Sequence, residues 1–472
     1  MKKIIFLQLG RYAEILQSLP AIQAMAGPSV QLSLIVYEQF ADVVTGFSGV
    51  DVLHTLPSDE LKLEAEYDLL VNLTFTEPST YLASKIKAKK HVGLTRSEDG
   101  SIRIDDSWSR YYFAQVIRKN FNILHKVDLN QRIAMADERT LQSRVNAGWP
   151  LRKVERSLVS GHEVGVYVTS GLNSPTWKAI LDKVPAQILS SDCFKNPATL
   201  APFDRIVTCD SDMAALASAY GKQVIYLALS FTRPEETGPY GPEHHVLLTH
   251  QIEPESLACA VGEVLQDKSV TVRVPHSKTV FKSCVDGSLR SELVPQNFEY
   301  DEVKHFFSQT YFLLAEFRNS GRTENLEIPK FGKRPGFSNL DFLLAAHDAL
   351  GTVRRLAEYG RHYCLKMLGN SDDKIALKEW MGKLTKIEDM LADLRKNIPY
   401  VRPLIDQLMV NKDVRGDGIV EVLELTEGSY RELIQDVEIV LNLMEVSVNA
   451  SKPKGLDAVQ SRSELGHEND TH

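Results

Sequence analysis

Two apolar segments, Arg205–Cys209 and Val224–Leu229, flank a short helical segment, Met213–Gly221, and this pattern constrains the fold more than any other stretch of the chain. Residues 210–212, Asp-Ser-Asp, join the first apolar segment to the helix. A strand that leads directly into a helix is where α/β proteins bind phosphates, because free N–H groups and the positive end of the helix dipole face outwards there. The pattern therefore predicts a strand–helix–strand unit with an anion site at residues 210–212.

The same alternation of apolar strands and helices extends over two long stretches, residues 3–124 and 163–267. Apolar strands interleaved with helices predict parallel sheets that are covered on both faces. We expect a long helix over Trp108–Leu124 to close the first stretch, and the polar residues 137–160 to connect it to the second. The prediction for this part of the chain is an α/β fold with two Rossmann-like domains.

From about Asn297 the periodicity changes from strands to helices. Apolar residues recur at helical spacing in four segments, Asn297–Phe317, Asn339–Leu368, Asp372–Lys396 and Glu427–Val448. The expected N-caps are Asn339 and Ser371, and the expected stop signals are Gly369 and Pro399. Amphipathic helices bury their apolar stripes against each other or against a partner, so these segments predict an all-α helical bundle domain.

These changes of pattern give the predicted domain boundaries. The α/β domains cover residues 1–155 and 156–268, a connector without a clear period covers 269–296, and the helical bundle covers 297–450. The polar residues 451–472 are predicted to form a disordered tail. At 472 residues the chain is long enough for about three domains of this kind.

Charge and cysteine content exclude several functional classes. The net charge is −8 and the pI is about 6.0, which argues against a nucleic-acid partner. The five cysteines are dispersed without a CxxC motif, and the histidines show no metal-ligand spacing, so neither a metal nor another cofactor is expected. The dispersed cysteines fit a reducing cytoplasm best. No 18-residue apolar stretch is present, so we expect at most peripheral membrane contact.

Four stretches of the sequence resemble glycosyltransferase family 9, the lipopolysaccharide heptosyltransferases. They are residues 13–22 (AEILQSLPAI), 67–73 (YDLLVNL), 88–94 (AKKHVGL) and 209–241, in the order that the family has them. The resemblance spans most of residues 1–265 and implies the GT-B fold, with an acceptor domain followed by a nucleotide-sugar domain. It also implies a bacterial enzyme of lipopolysaccharide or surface-glycan biosynthesis. It does not account for the helical segments.

Glu14 stands where the family has its catalytic Asp. Inverting sugar transfer needs a base that takes the proton of the acceptor hydroxyl as it attacks the anomeric carbon. A helix N-terminus favours the ionised carboxylate and lowers its pKa. Glu is one methylene longer than Asp, so its reach differs by about 1.5 Å. The alternative interpretation is that Glu14 only caps its helix, as carboxylates in a first turn commonly do.

The resemblance implies that the second domain binds the donor. The expected contacts to its phosphate or sugar come from residues 210–214, namely Asp210, Ser211, Asp212, Met213 and Ala214. The loop that the family places beside the donor is matched by Thr232, Arg233, Gly238 and Pro239, with Arg233 as a candidate phosphate ligand. Further expected donor contacts are Thr169, Ser170 and Asn173, and Lys178 in the role of a family lysine.

Three positions depart from the family pattern. Asp212 replaces a Gly, Ala215 replaces a His, and Pro175 replaces the family lysine, which neutralises pyrophosphate. Charge-assisted contacts are worth roughly 1.5–3 kcal/mol each, so the loss of two would lower diphosphate affinity by about 10²–10⁴. Either the donor is held differently or it is no longer held.

The leading hypothesis is an inverting glycosyltransferase that moves a heptose or related sugar from a nucleotide-diphosphate donor to a saccharide or protein hydroxyl. The appended helices suggest a dedicated acceptor, such as a surface protein, or binding of a protein partner or a second copy. The alternative is a degenerate GT-B scaffold without catalysis whose helical domain mediates protein–protein interaction. A third possibility is an epimerase of the related GT-B type.

Overall fold

The computed structural model describes residues 1–45, 47, 49–57, 63, 66–97, 100, 102–136, 163–283, 289–297, 302–320, 340–412 and 419–451. The chain divides into two compact units, the first formed mainly by Met1–Tyr300 and the second by the helices that follow. The first unit contains two α/β lobes, here called the first lobe (residues 1–136) and the second lobe (residues 163–297). The predicted linker 137–160, the N-cap Asn339 and the tail 452–472 lie outside the described residues.

A six-stranded sheet in the order β3-β2-β1-β4-β5-β6 forms the centre of the first lobe. Its strands are β1 (Lys2–Leu7), β2 (Val30–Tyr37), β3 (Val52–Leu56), β4 (Tyr67–Asn72), β5 (Ala88–Arg96) and β6 (Ile102–Ile104). All neighbours are parallel except β5 and β6. The helices are α1 (Tyr12–Met25), α2 (Ala41–Thr45), α3 (Glu77–Lys85), α4 (Ser107–Tyr111) and α5 (Lys126–Ala134).

The second lobe contains a seven-stranded sheet in the order β13-β12-β11-β10-β9-β7-β8. Its strands are β7 (Glu163–Tyr167), β8 (Gln187–Ile188), β9 (Phe203–Thr208), β10 (Gln223–Ala228), β11 (His245–Leu248), β12 (His276–Ser283) and β13 (Leu289–Pro295). Strands β7 to β11 are parallel, whereas β12 and β13 are antiparallel. The helices are α6 (Ser174–Lys183), α7 (Ser211–Ala219), α8 (Pro234–Thr237) and α9 (Pro254–Leu265).

Both sheets are held by apolar side chains that the strands share with the covering helices. In the second lobe, Val207 and Ile225 are fully buried together with Ile180 of α6 and Val261 of α9. Burial of one such side chain contributes about 1.5–3 kcal/mol. These contacts fix the ends of the parallel strands, where the candidate site lies.

The predicted long helix over Trp108–Leu124 is wrong. Helix α4 passes into a π-helical turn, Tyr112–Ile117, and the chain then leaves the helical path at Lys119, which has a positive φ of 54°. The side chain of Asn120 donates to the carbonyl of Ala114 at 2.6 Å and so caps the turn in place of a further backbone N–H. A separate helix, α5, begins at Lys126.

The predicted connector 269–296 is also wrong in part, because it contains strands β12 and β13. These two strands pair with each other, and β12 extends the sheet from β11. Strand β12 reads His-Ser-Lys-Thr-Val-Phe-Lys-Ser, with too many polar residues for a buried-strand pattern. Its His276 is nevertheless buried and hydrogen-bonds the ring of His245 at 2.8 Å.

The second unit consists of helices among the described residues, α10 (Glu302–Ser320), α11 (Leu340–Leu368), α12 (Lys374–Asn397), α13 (Arg402–Lys412) and α14 (Ile419–Ser451). The two long helices α11 and α14 pack against each other, with Leu350, Val353 and Tyr430 fully buried. Helix α11 stops before Gly369 and α12 stops before Pro399, as predicted. The N-cap of α12 is Asp373 rather than Ser371, and helix α13 was not predicted.

The predicted fold class, two Rossmann-like α/β domains followed by a helical domain, is confirmed by these sheets and helices. Among the residues that the structure describes, no helix combines the length and the apolarity that crossing a membrane requires.

Candidate active site

Each sheet has one place where the strand order reverses, and both places carry polar side chains. The reversal lies between β1 and β4 in the first lobe and between β7 and β9 in the second. In open α/β sheets, ligands bind outside the carboxyl ends of the strands at such switch points. The chain segments after these strands, which include Glu14 and Asp210, therefore form the candidate active site.

A small hydrogen-bond network fixes the loop that leads from β1 to Glu14. The side chain of Gln8 accepts from the N–H of Gly10 at 3.1 Å and donates to the carbonyl of Glu14 at 3.1 Å. The hydroxyl of Thr74, after β4, donates to the same Gln8 side chain and accepts from the N–H of Leu9. The two strand ends at the switch point are thus tied together, and the start of α1 has a defined position.

Glu14 is the third residue of α1, and both oxygens of its carboxylate have partners. Oε2 accepts a hydrogen bond from the N–H of Arg11 at 2.9 Å, and Oε1 forms an ion pair with the ammonium of Lys126. The Glu14 side chain is 33% exposed. A Cβ on Gly10 would lie 2.5 Å from Oε2, so only glycine allows the carboxylate to lie so close to this loop.

Lys126, the partner of Glu14, was not predicted from the sequence. It is the first residue of α5, its side chain is only 10% exposed, and its ammonium lies 5.9 Å from the centre of the Tyr112 ring. Burial alone would raise the pKa of Glu14, but the ion pair with Lys126 and the Arg11 N–H outweigh it, so the pKa is lower than usual. Burial alone would lower the pKa of Lys126, but Tyr112 and Glu14 outweigh it and raise the pKa.

A cavity of about 340 Å³ opens beside this ion pair, and is here called the Glu14 cavity. The aromatic side chains that line it are Tyr37, Phe40, Phe75 and Tyr112, and the charged ones are Arg11, Glu14 and Lys126. Aromatic faces with a few polar groups are typical of small-molecule sites. The carboxylate therefore borders a space in which a hydroxyl-bearing substrate can lie.

The predicted donor residues 210–214 begin helix α7 at the carboxyl end of β9. Asp210 is the N-cap, and its carboxylate accepts from the N–H of Met213 at 2.8 Å. Met213 and Ala214 are fully buried, whereas Ser211 and Asp212 are half-buried. The buried side chains of Met213 and Ala214 therefore face the core, whereas those of Asp210, Ser211 and Asp212 remain partly exposed.

Asp212 reaches from the second lobe to the first. Its Oδ1 accepts from the N–H of Ala13 at 2.8 Å. This N–H lies in the first turn of α1 and has no acceptor within its own helix. Burial raises the pKa of Asp212, and the nearby Asp210 adds to this, while the Ala13 N–H opposes it. The residue that replaces the family glycine thus joins the two lobes at the switch points.

The other residues predicted to contact the sugar donor follow β7, in the first β–α turn of the second lobe and in helix α6. Thr169 is half-buried and its hydroxyl lies 3.0 Å from the sulfur of Cys209, while Ser170 is exposed. Asn173 caps α6 by accepting from the N–H of Thr176 at 2.9 Å. Lys178 is exposed on α6. Thr169 thus contacts Cys209, the residue that follows β9.

The loop 232–241 is bound to helix α5 of the first lobe. The Nε2 of His125 lies 2.9 Å from the carbonyl oxygen of Gly238, and burial lowers the pKa of His125 to about 4. The neutral ring therefore donates from Nε2 while Nδ1 accepts from the N–H of Val127. Tyr240 donates its hydroxyl hydrogen to Asp128 at 2.7 Å.

The predicted residues of this loop are already engaged within the protein. Arg233 pairs with Glu236 at 2.7 Å, and Thr232 donates to the carbonyl of Leu229 at 2.8 Å. Gly238 and Pro239 are buried. A donor phosphate would therefore meet an arginine whose charge is partly neutralised.

No protein-family model matches the chain, and no curated protein matches it. Among solved structures, E. coli heptosyltransferase WaaC with ADP-2-deoxy-2-fluoro heptose is 12% identical, covers 56% of this chain and 99% of its own, and has a TM-score of 0.40. E. coli ADP-heptose lps heptosyltransferase II is 14% identical, covers 57% and 99%, and has a TM-score of 0.39.

A glycosyl transferase family 9 structure from Veillonella parvula is similar at 13% identity over 57% of this chain and 90% of that one, with a TM-score of 0.35. It carries the name of the family that the sequence motifs resemble. At these sequence identities and TM-scores the similarity assigns no activity and no ligand to the chain.

Proposed function

We propose that this protein is an inverting glycosyltransferase, which moves a sugar from a nucleotide-diphosphate donor to a hydroxyl group, with Glu14 as the base. The observation that carries the proposal is the position of the Glu14 carboxylate. It lies at the switch point of the first sheet, borders the Glu14 cavity and is held ionised by Lys126 and the Arg11 N–H. An ionised carboxylate at a cavity wall is what removal of a hydroxyl proton requires.

In the proposed reaction the acceptor lies in the Glu14 cavity. The acceptor oxygen attacks the anomeric carbon as its proton passes to Glu14, and the bond between the anomeric carbon and the phosphate oxygen breaks. Attack from the face opposite the leaving group inverts the configuration. The negative charge that develops on the leaving diphosphate is stabilised by N–H groups at the start of α7.

The donor side of this proposal depends on backbone groups more than on cations. Asp210 and Asp212 place two carboxylates at the start of α7, and Arg233 is paired with Glu236. We therefore expect weaker diphosphate binding than a site with a free lysine would give. The sugar and the nucleotide stay open within this class, as does the choice between a saccharide and a protein acceptor.

The test is calorimetric titration of the full chain with a panel of nucleotide sugars, followed by measurement of nucleoside diphosphate release. We expect Glu14→Gln to leave donor affinity unchanged and to lower the release rate by at least about 10²-fold. Glu77→Gln is the matched control, because Glu77 is also a first-turn carboxylate but is 81% exposed. It should leave both quantities unchanged.

Two results would contradict the proposal. A well-folded wild-type protein that binds no member of the panel would favour a scaffold without catalysis, with Asp212 in the place of the donor phosphate. Unaltered release by the Glu14→Gln variant would exclude Glu14 as the base. Interconversion of sugar epimers together with diphosphate release would point to the epimerase alternative.

A further inference from the structure

We propose that Lys126 is a positioning residue for Glu14, which fixes the direction of the carboxylate and keeps it ready to accept a proton. This inference rests on the proposed function and names a residue outside the motifs that suggested it. Lys126 lies 112 positions after Glu14 in the sequence, on a different helix.

The first argument is that Lys126 occupies an electrostatically unfavourable position. It is the first residue of α5, where the helix dipole presents its positive end and disfavours a cation. Its side chain is also withdrawn from water, and burial of an ammonium is unfavourable unless it is paired. An apolar residue of similar length would avoid both costs, so the lysine is explained by its partner.

The second argument is the way in which the two oxygens of Glu14 are held. The Arg11 N–H binds Oε2 and the Lys126 ammonium binds Oε1, so each oxygen of the carboxylate has its own partner. An ionised carboxylate has about four acceptor positions, so lone pairs remain for a substrate hydroxyl. Without Lys126, one oxygen would lose its anchor and the side chain would be free to rotate.

The third argument concerns the other groups around the carboxylate. Arg11 is the N-cap of α1, the helix that carries Glu14, while Tyr112 lies on the π-helical turn and Asp212 on α7. The charge of Glu14 raises the pKa of Asp212, and Arg11 is exposed to solvent. Among these described neighbours, Lys126 is therefore the buried cation that keeps Glu14 ionised.

The test follows the titration of Glu14 itself. The full chain is labelled with ¹³C at the glutamate side-chain carboxyl groups, and the Glu14 resonance is identified by its absence in Glu14→Gln. We expect Lys126→Met to raise the titration midpoint of Glu14 by about 1–3 pH units, the range that an adjacent opposite charge produces. Lys126→Arg should restore a low midpoint because it keeps the charge.

The matched control is Lys89→Met. Lys89 also pairs with a carboxylate, that of Asp68 at 2.7 Å, but it is 62% exposed and lies away from Glu14. This variant should leave the Glu14 midpoint where it is in the wild type. If Lys126→Met does not fold by circular dichroism, Lys126→Gln provides the same measurement.

A catalytic readout separates this inference from the proposed function. With an active donor, the acid limb of the kcat/KM profile should move upwards by the same interval in Lys126→Met and return in Lys126→Arg. An unchanged Glu14 midpoint in Lys126→Met would overturn the inference whatever the activity. A shifted midpoint in a protein that transfers no sugar would refute the proposed function and leave the electrostatic role of Lys126 in place.

Discussion

Asp128 offers a quantitative test of how the two lobes are joined. It lies on α5, is completely buried, and accepts hydrogen bonds from the Tyr240 hydroxyl at 2.7 Å and the Ser291 N–H at 2.9 Å. Burial raises the pKa of Asp128 from 3.8 to about 6, against the opposing effects of these donors and of Arg132 and Arg290. The carboxyl group that connects the lobes is thus more easily protonated than an ordinary aspartate.

The raised pKa has a definite consequence for stability. Between about pH 4 and pH 6 the folded protein holds a proton that the unfolded chain has released, so the free energy of unfolding falls as the pH rises. Below this window both states are protonated, and above it both are ionised. The difference between the two pKa values corresponds to about 3 kcal/mol, because one pKa unit is about 1.4 kcal/mol.

The perturbation is Asp128→Asn, which removes the ionisation and keeps the shape. Urea denaturation of the wild type and the variant, monitored by tryptophan fluorescence, gives the difference between their unfolding free energies at each pH. This difference is here called the gap. From pH 4 to pH 7 we expect this gap to move by about 2 kcal/mol in favour of the variant, because the rest of the change lies below pH 4. Titrating groups common to both proteins cancel, and the hydrogen bond that Asn cannot accept contributes equally at every pH.

A gap that does not depend on pH would refute this account. A gap that moves in favour of the wild type as the pH rises would show that Arg132 and Arg290 dominate and hold Asp128 ionised.

Three glycine substitutions test the packing of the two units, two of them in the second unit and one in the first. Gly360→Ala on α11 would place a Cβ 2.5 Å from the buried Tyr430 ring, so we expect urea denaturation to show about 1–3 kcal/mol lower stability. On the same helix, the Cβ of Gly351→Ala meets nothing within 4 Å, so this variant should be more stable than the wild type by up to about 1 kcal/mol. Equal effects of the two would contradict the described packing. Gly93→Ala, at φ +97° and with its Cβ 2.1 Å from the carbonyl oxygen of Asn72, should lower the stability of the first unit by at least about 2 kcal/mol, and a neutral result in thermal denaturation would exclude this strand geometry.

The sequence predicted the parallel strands well because each is a short apolar run that both faces of a sheet bury. It failed where polar residues are satisfied by distant partners, as His276 in β12 is by His245. It missed α13 because Pro399 and Pro403 suggest a break. Pro403 lies in the first turn of α13, where its missing N–H costs nothing.

The residues of the candidate site also differ in whether the sequence could reveal them. Glu14 was predicted from the resemblance to glycosyltransferase family 9, and Asp210 from the local strand-to-helix pattern that precedes α7. Lys126 and Asp128 could not be found in this way, because their partners are 112 positions distant and α5 looks like a solvated helix. Their burial becomes visible only when α1 and the loop 232–241 pack around them.

The first turn of α5 has a mechanical consequence for the protein. Within four residues it carries His125, bound to Gly238, Lys126, bound to Glu14, and Asp128, bound to Tyr240. Because a helical turn is stiff, we expect a displacement of the loop 232–241 to move His125 and Asp128 together with Lys126. The same displacement therefore alters the contact between the Lys126 ammonium and the Glu14 carboxylate.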